Sequence, residues 1–157
     1  MSAAITIERI LALQARYTRC IDNNTLEEWP DLFLDECLYM VTTAENHRNN
    51  YPSGIIYADT KNMLIDRVAA LRQANVYEKQ SYRHILGLPN VTKNDDAGAE
   101  SETPFLVARI MHDGQTSIFA TGVYLDTYRN AGSDLKFGRR IAVCDSSRID
   151  TLLALPL

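Results

Sequence analysis

The sequence predicts an α+β fold, with N-terminal helices packed on one face of a strongly curved antiparallel sheet. Three observations carry that reading. In the first half, apolar residues recur every three to four positions, the spacing of one helix face. In the second half, long alternating segments rich in β-branched and aromatic residues are separated by glycine-bearing turns. Helices before strands, rather than alternating with them, favour segregated layers. A bent sheet wrapped around a helix would form a cone with an internal pocket. The 157 residues suit one domain spanning 1–157. Size scaling buries about 69% of the unfolded surface, enough for a core without disulfide or metal staples.

The elements follow in chain order. Ile7, Ile10, Leu13, Tyr17 and Ile21 line one face of a first helix, with Thr6 as its N-cap. Asp22-Asn23-Asn24 breaks it. Thr25-Leu26-Glu27-Glu28 has the form of a capping box. Trp29, Leu32 and Phe33 give the apolar face of a second helix, which Pro30 should leave short or irregular. Glu36 to Thr43 favours a strand, and the polar run Glu45 to Gly54 a loop. A third helix starts near Asp59-Thr60 and ends around Asn75. Its apolar positions are Met63, Leu64, Val68 and Leu71, with Asp66, Arg67 and Arg72 towards water.

In the stranded half, Ser81 to Leu88 is the first strand. Alternation sets Tyr82 and His84 on one face, Arg83 and Ile85 on the other. Lys93 to Glu100 has no large apolar anchor and is expected to be a mobile loop. Thr103 to Met111 and Thr116 to Tyr128 are long strands joined at His112-Asp113-Gly114-Gln115, in which Asp-Gly is a tight-hairpin signal with positive φ at both turn residues. Asn130 to Ser133 turns into a last strand, Leu135 to Cys144. The tail, Leu152 to Leu157, is apolar. It should either fold back on its own domain or dock on a partner.

Composition excludes several classes. Net charge is −4, so a nucleic-acid binder with a basic footprint is disfavoured. No apolar run approaches the ~20 residues of a membrane span. Glu8 and Arg9 interrupt the place where a signal peptide would need an apolar stretch. Cys20, Cys37 and Cys144 are sparse and odd in number, which fits a reducing cytoplasm and small buried thiols. Of 16 basic residues, 12 are Arg, a bias seen at protein interfaces and equally open to compositional drift.

No Gly-rich phosphate loop and no Gly-x-Ser-x-Gly elbow is present. His47, His84 and His112 lie 37 and 28 residues apart, without a metal-ligand pattern. His84 could act as a base in a pocket, although a hydrogen-bonded structural histidine is the commoner outcome. An Arg–Asp pair inside the cone is conceivable, with Arg139, Arg140 and Asp145 close in sequence. A pair at the rim is the commoner arrangement.

Two longer runs carry more information: Tyr82-Arg83-His84-Ile85-Leu86-Gly87-Leu88-Pro89 and Arg140-Ile141-Ala142-Val143-Cys144-Asp145-Ser146. With them go Glu28-Trp29-Pro30, Gly54 to Asp59, Met63 to Arg67, Arg109-Ile110-Met111-His112 and Asp150 to Leu157. On these residues the chain resembles the small (β) subunit of Rieske-type aromatic-ring-hydroxylating dioxygenases. Within that family the overall likeness points to the terephthalate enzymes. The resemblance implies the cone fold shared with ketosteroid isomerase and scytalone dehydratase. It implies a cytoplasmic assembly of three large and three small subunits, so that the partners are the large subunit and other copies of this chain. The Rieske [2Fe–2S] cluster and the mononuclear iron would sit on the large subunit, with NADH acting through a separate reductase. No catalytic, cofactor or metal residue is expected here, and neither nucleic acid nor membrane is an expected partner.

A Rieske cluster needs two Cys and two His, and iron of this kind two His and a carboxylate. The sequence has a spacing pattern for neither. Tyr82, Arg83, His84, Arg109, Arg140, Leu152, Leu155 and Leu157 are the expected subunit-interface residues. The alternative is a stand-alone isomerase or dehydratase using the cone pocket, with His84, Tyr82, Tyr39, Tyr124 and Asp126 as candidates. A filled cone favours the subunit, and an open cavity of several hundred Å³ the enzyme.

Overall fold

Residues 3–52, 54–74, 79–148 and 153–157 are described by the computed structural model. Helix α1 (Ile7–Asp22) begins where the sequence says it should, because the Thr6 hydroxyl accepts the Arg9 N–H. Its buried face is Ile10, Leu13, Gln14, Tyr17, Cys20 and Ile21. A 3₁₀ helix (Leu26–Leu32) follows, with Pro30 inside it and Trp29 wholly buried. The expected capping box does not form. Thr25 makes no side-chain cap, and its carbonyl instead accepts the Glu28 N–H at 3.0 Å. The tighter i→i+3 winding closes that bond through the backbone, leaving the hydroxyl unused.

Strand β1 (Phe33–Thr43) starts three residues before the predicted strand. The polar run after it is not all loop. Thr43 caps Asn46 N–H at 3.2 Å and starts a one-turn helix α2 (Ala44–Arg48). Strand β2 (Ile56–Thr60), which the sequence reading missed, pairs antiparallel with β1. Helix α3 (Lys61–Ala74) follows, and the Thr60 hydroxyl accepts Met63 N–H at 3.2 Å. Leu64 and Val68 are buried, whereas Met63 is exposed; the expected end at Asn75 lies outside the described residues.

The other strands are β3 (Gln80–Leu86), β4 (Asn90–Asp95), β5 (Gly98–Met111), β6 (Thr116–Ala131) and β7 (Asp134–Cys144). Strand β4 replaces the expected mobile loop. It pairs with the start of β5 through a turn at Asp96-Ala97, where Asp95 Oδ1 accepts the Ala97 N–H. All six of its side chains are exposed, so no buried face marked it in the sequence. At the β5–β6 turn Gly114 has positive φ and Asp113 does not, and the four residues His112 to Gln115 join the strands, as the sequence places them.

The strand order is β2-β1-β7-β6-β5-β3, with β4 beyond it on β5. Pairing is antiparallel except between β1 and β7, which run parallel. One strand of the helical half thus sits inside the sheet, and the expected purely antiparallel meander is mixed at that junction. The concave face carries Phe33, Tyr39, Val41, Tyr82, Phe105, Val107, Tyr124, Tyr128 and Phe137, all buried with the apolar face of α1. Among the described residues no helix is long and apolar enough to cross a membrane.

Candidate functional site

The interior of the cone is lined by buried side chains, among them Trp29, Tyr17, Tyr39, Tyr124 and Phe137. At its centre, Arg140 on β7 faces Asp126 on β6. Nε donates to Oδ1 at 2.8 Å and Nη2 to Oδ2 at 2.7 Å, with both side chains 0% exposed. Rings of Tyr124, Tyr17 and Phe137 surround the guanidinium at 3.9, 4.2 and 4.3 Å. Burial alone would push Arg140 down, but Asp126 outweighs it and holds the guanidinium above its ordinary value. Asp126 also accepts the Tyr128 hydroxyl at 3.0 Å. Gln14 Nε2 donates to Thr103 and Tyr128, each at 2.9 Å, which ties α1 to β5 and β6.

The pair arises from hairpin register. A regular hairpin about Gly132-Ser133 would set Asp126 opposite Arg139. The irregularity between Thr127 and Tyr128 sets it opposite Arg140 instead. Asp145, the residue considered from sequence, lies outside and accepts the Thr121 hydroxyl.

His84 has a partner the sequence reading did not find. Asp22 Oδ1 lies 2.6 Å from His84 Nδ1, and Oδ2 accepts the His84 backbone N–H at 2.9 Å. Their side chains are 0% and 4% exposed. Asp22 closes α1, and 62 residues separate it from His84, so no local motif signals the pair. The neighbouring rings are Tyr17 and Tyr82.

Burial pushes the hydroxyl of Tyr39 up to about 12, and raises Tyr17 and Tyr124 well above their ordinary value. The cysteines are buried and unpaired, and burial raises Cys37 and Cys144 to about 11 and Cys20 to about 12. Such thiols are poor nucleophiles. No group of three or more His, Cys, Asp or Glu among the described residues could hold a metal.

The expected interface residues fall into two sets. Arg140 is wholly interior, and Tyr82, His84 and Arg109 are 9% exposed or less. Leu155 and Leu157 are taken up by the chain's own core, the fold-back of the two alternatives left open for the tail. A partner could meet these side chains only if the core opened. Leu152 lies outside the described residues. Arg83 faces outward, next to Ile85. The convex face there carries Ile85 at 60% exposure and Ile118 at 68%, with the β5 residues Leu106 and Ala108 between them in register. Leu88, just past the end of β3, is 83% exposed.

Residues 16–151 match the family model for the ring-hydroxylating β subunit. The chain belongs to the β-subunit family of ring-hydroxylating dioxygenases. A relative from Comamonas sp, the β subunit 2 of the terminal oxygenase component of terephthalate 1,2-dioxygenase, is 48% identical over 149 residues. That match covers 95% of this chain and 97% of the relative. The crystal structure of a β subunit of an aromatic-ring-hydroxylating dioxygenase from Novosphingobium aromaticivorans superposes with a TM-score of 0.87 at 37% identity. It covers 96% of this chain and 95% of that one. A scytalone dehydratase-like structure from the same organism matches at TM-score 0.70 and 17% identity, over 96% and 91% of the two chains; it shows the shared cone fold. As a β subunit, this chain is the small subunit of an oxidoreductase complex, and its partner is a large subunit.

Proposed function

We propose that this chain is the small subunit of a terephthalate 1,2-dioxygenase and serves it as a platform for the large subunit. The observation that carries the substrate is the 48% identity, over nearly the whole of both chains, to the Comamonas terephthalate subunit. The oxygenase would hold three large and three small subunits in the cytoplasm. The Rieske cluster and the mononuclear iron would be on the large subunit, with electrons from NADH reaching it through a reductase. The ligand-poor composition of this chain supports placing the iron elsewhere. The burial of His84, Asp126 and Arg140 supports a scaffold over a stand-alone isomerase or dehydratase, whose base must reach a substrate. The convex strip of Arg83, Ile85 and Ile118 supports a contact face, because exposed apolar patches mark protein interfaces.

The test is co-expression with the large subunit, followed by native mass and iron content. Turnover is then assayed with reductase, NADH and terephthalate, with benzoate as the comparison substrate. A three-plus-three, iron-loaded complex that prefers terephthalate supports the reading. A complex that prefers benzoate overturns the substrate, and a metal-free species of this chain alone overturns the assembly.

A further inference from the structure

One charge stands alone on the convex strip. Strand β3 turns Ser81, Arg83 and Ile85 outward, and β5 sets Ile110, Ala108 and Leu106 beside them in register. Ile118 lies beyond Ala108 on β6. Arg83 is the only charged side chain among these, and it is exposed. It makes no ion pair or side-chain hydrogen bond among the described residues. Carboxylates at the margins of this face are already engaged: Asp113 accepts the Gln115 N–H, and Asp145 the Thr121 hydroxyl. The outer edge of β3 is closed at its middle, because Asp22 takes the His84 N–H at 2.9 Å. A partner therefore meets β3 by its face rather than by adding a strand there.

Apolar surface laid over Ile85, Ala108 and Ile118 would cover Arg83 as well, and a covered charge is costly unless it is paired. A second copy docked strip to strip would bring Arg83 against Arg83, with no carboxylate from the strip to answer either. The partner that fits has a different sequence, and a β subunit has such a partner in the large subunit. Arginine is a frequent anchor of protein interfaces, and a carboxylate matches its planar fork with two parallel bonds. We propose that the convex strip docks on an apolar patch of the large subunit that carries an aspartate or glutamate, and that Arg83 pairs with that carboxylate and sets the register of the two subunits. The inference rests on the strip being the face turned to the large subunit.

The experiment uses the oxygenase co-expressed with its large subunit. Arg83→Glu should raise the dissociation constant of the complex by roughly tenfold or more, read by native mass on dilution, whereas Arg83→Lys should keep the complex assembled. A zero-length carbodiimide applied to the Arg83→Lys complex should join position 83 to an aspartate or glutamate of the large subunit, located by peptide mass spectrometry. A link to another small subunit overturns the proposal, as does an assembled complex with no link at position 83. Should the Arg83→Glu chain fail to fold, the link in the Arg83→Lys complex decides. Ile118→Asp separates the two levels of the argument. If it weakens the complex while Arg83→Glu does not, the contact face stands and the carboxylate partner is refuted. If neither weakens it, the strip is not the face and both readings fall.

Discussion

Replacing Asp126 by leucine tests what the centre of the cone does. The substitution removes the carboxylate that takes two bonds of 2.8 and 2.7 Å from Arg140. It leaves the guanidinium 0% exposed, with aromatic rings at 3.9–4.3 Å as its remaining close neighbours. Stranding a buried charge costs about 3–5 kcal/mol. For a chain of this length each kcal/mol lowers the melting temperature by roughly 2–4 °C, so a loss of about 6–20 °C is expected. Arg140→Met strands Asp126 instead and should cost a similar amount. The double variant Asp126→Leu/Arg140→Met removes both charges and refills part of the space with apolar atoms. Its cost should therefore fall well below the sum of the two. Urea unfolding followed by circular dichroism on all four chains closes the cycle. A single-variant cost under about 1 kcal/mol, or two costs that simply add, would refute the reasoning.

Further outcomes follow from the same coordinates. Tyr17, Tyr39, Tyr124 and Tyr128 all have raised hydroxyl values in the fold, with burial as the largest cause. Each contributes stability that is fully present below about pH 10, the unfolded value, and is lost as pH rises through the folded one. Spectrophotometric titration should show these four ionising only as the chain unfolds, with stability falling by up to about 1.4 kcal/mol per tyrosine per pH unit above pH 10; free titration of all eight tyrosines in a folded chain would contradict this. Gly122→Ala should destabilise by about 1–3 kcal/mol or more, because the new Cβ would sit 2.0 Å from the Val143 oxygen and 2.9 Å from Phe105 Cζ. Equilibrium unfolding measures it. Ile118→Asp should leave the melting temperature of the chain within a few degrees and weaken assembly with the large subunit, read by native mass; an unweakened complex removes the convex strip from the interface.

The parts of the fold legible in the sequence are those where one face is wet and the other dry. Helix α1, strands β3, β6 and β7, and the outward turn of Arg83 and Ile85 announce themselves by period. Strand β4 is exposed on both faces, and β2 has only five residues, so neither leaves a period to read. The capping box at Thr25 failed for a different reason: the 3₁₀ turn gives the Glu28 N–H to the Thr25 carbonyl, where the motif would give it to the Thr25 hydroxyl. Long-range polar pairs were the least visible. Asp22 and His84 meet across 62 residues, and Arg140 finds Asp126 only because an irregular register shifts the hairpin by one. The tail's leucines were recognised as needing cover, but sequence alone could not say whose, since an apolar terminus suits a core and a partner equally.

Two arrangements inside the cone have the parts of catalytic equipment: a histidine oriented by a carboxylate, and an arginine among tyrosines. Both are buried: His84 Nε2 has no hydrogen-bond partner among the described residues, and Arg140 has no exposed surface. Asp22 grips both the ring and the backbone N–H of His84, so the end of α1 clamps the middle of β3. Because strand side chains alternate, fixing His84 inward fixes Arg83 and Ile85 outward. Strand β3 ends the main strand order and pairs with β5 alone among the described strands, so one of its edges has no described strand beside it. The polar pair therefore holds from within the outward register of Arg83 and Ile85, the residues of the proposed contact face.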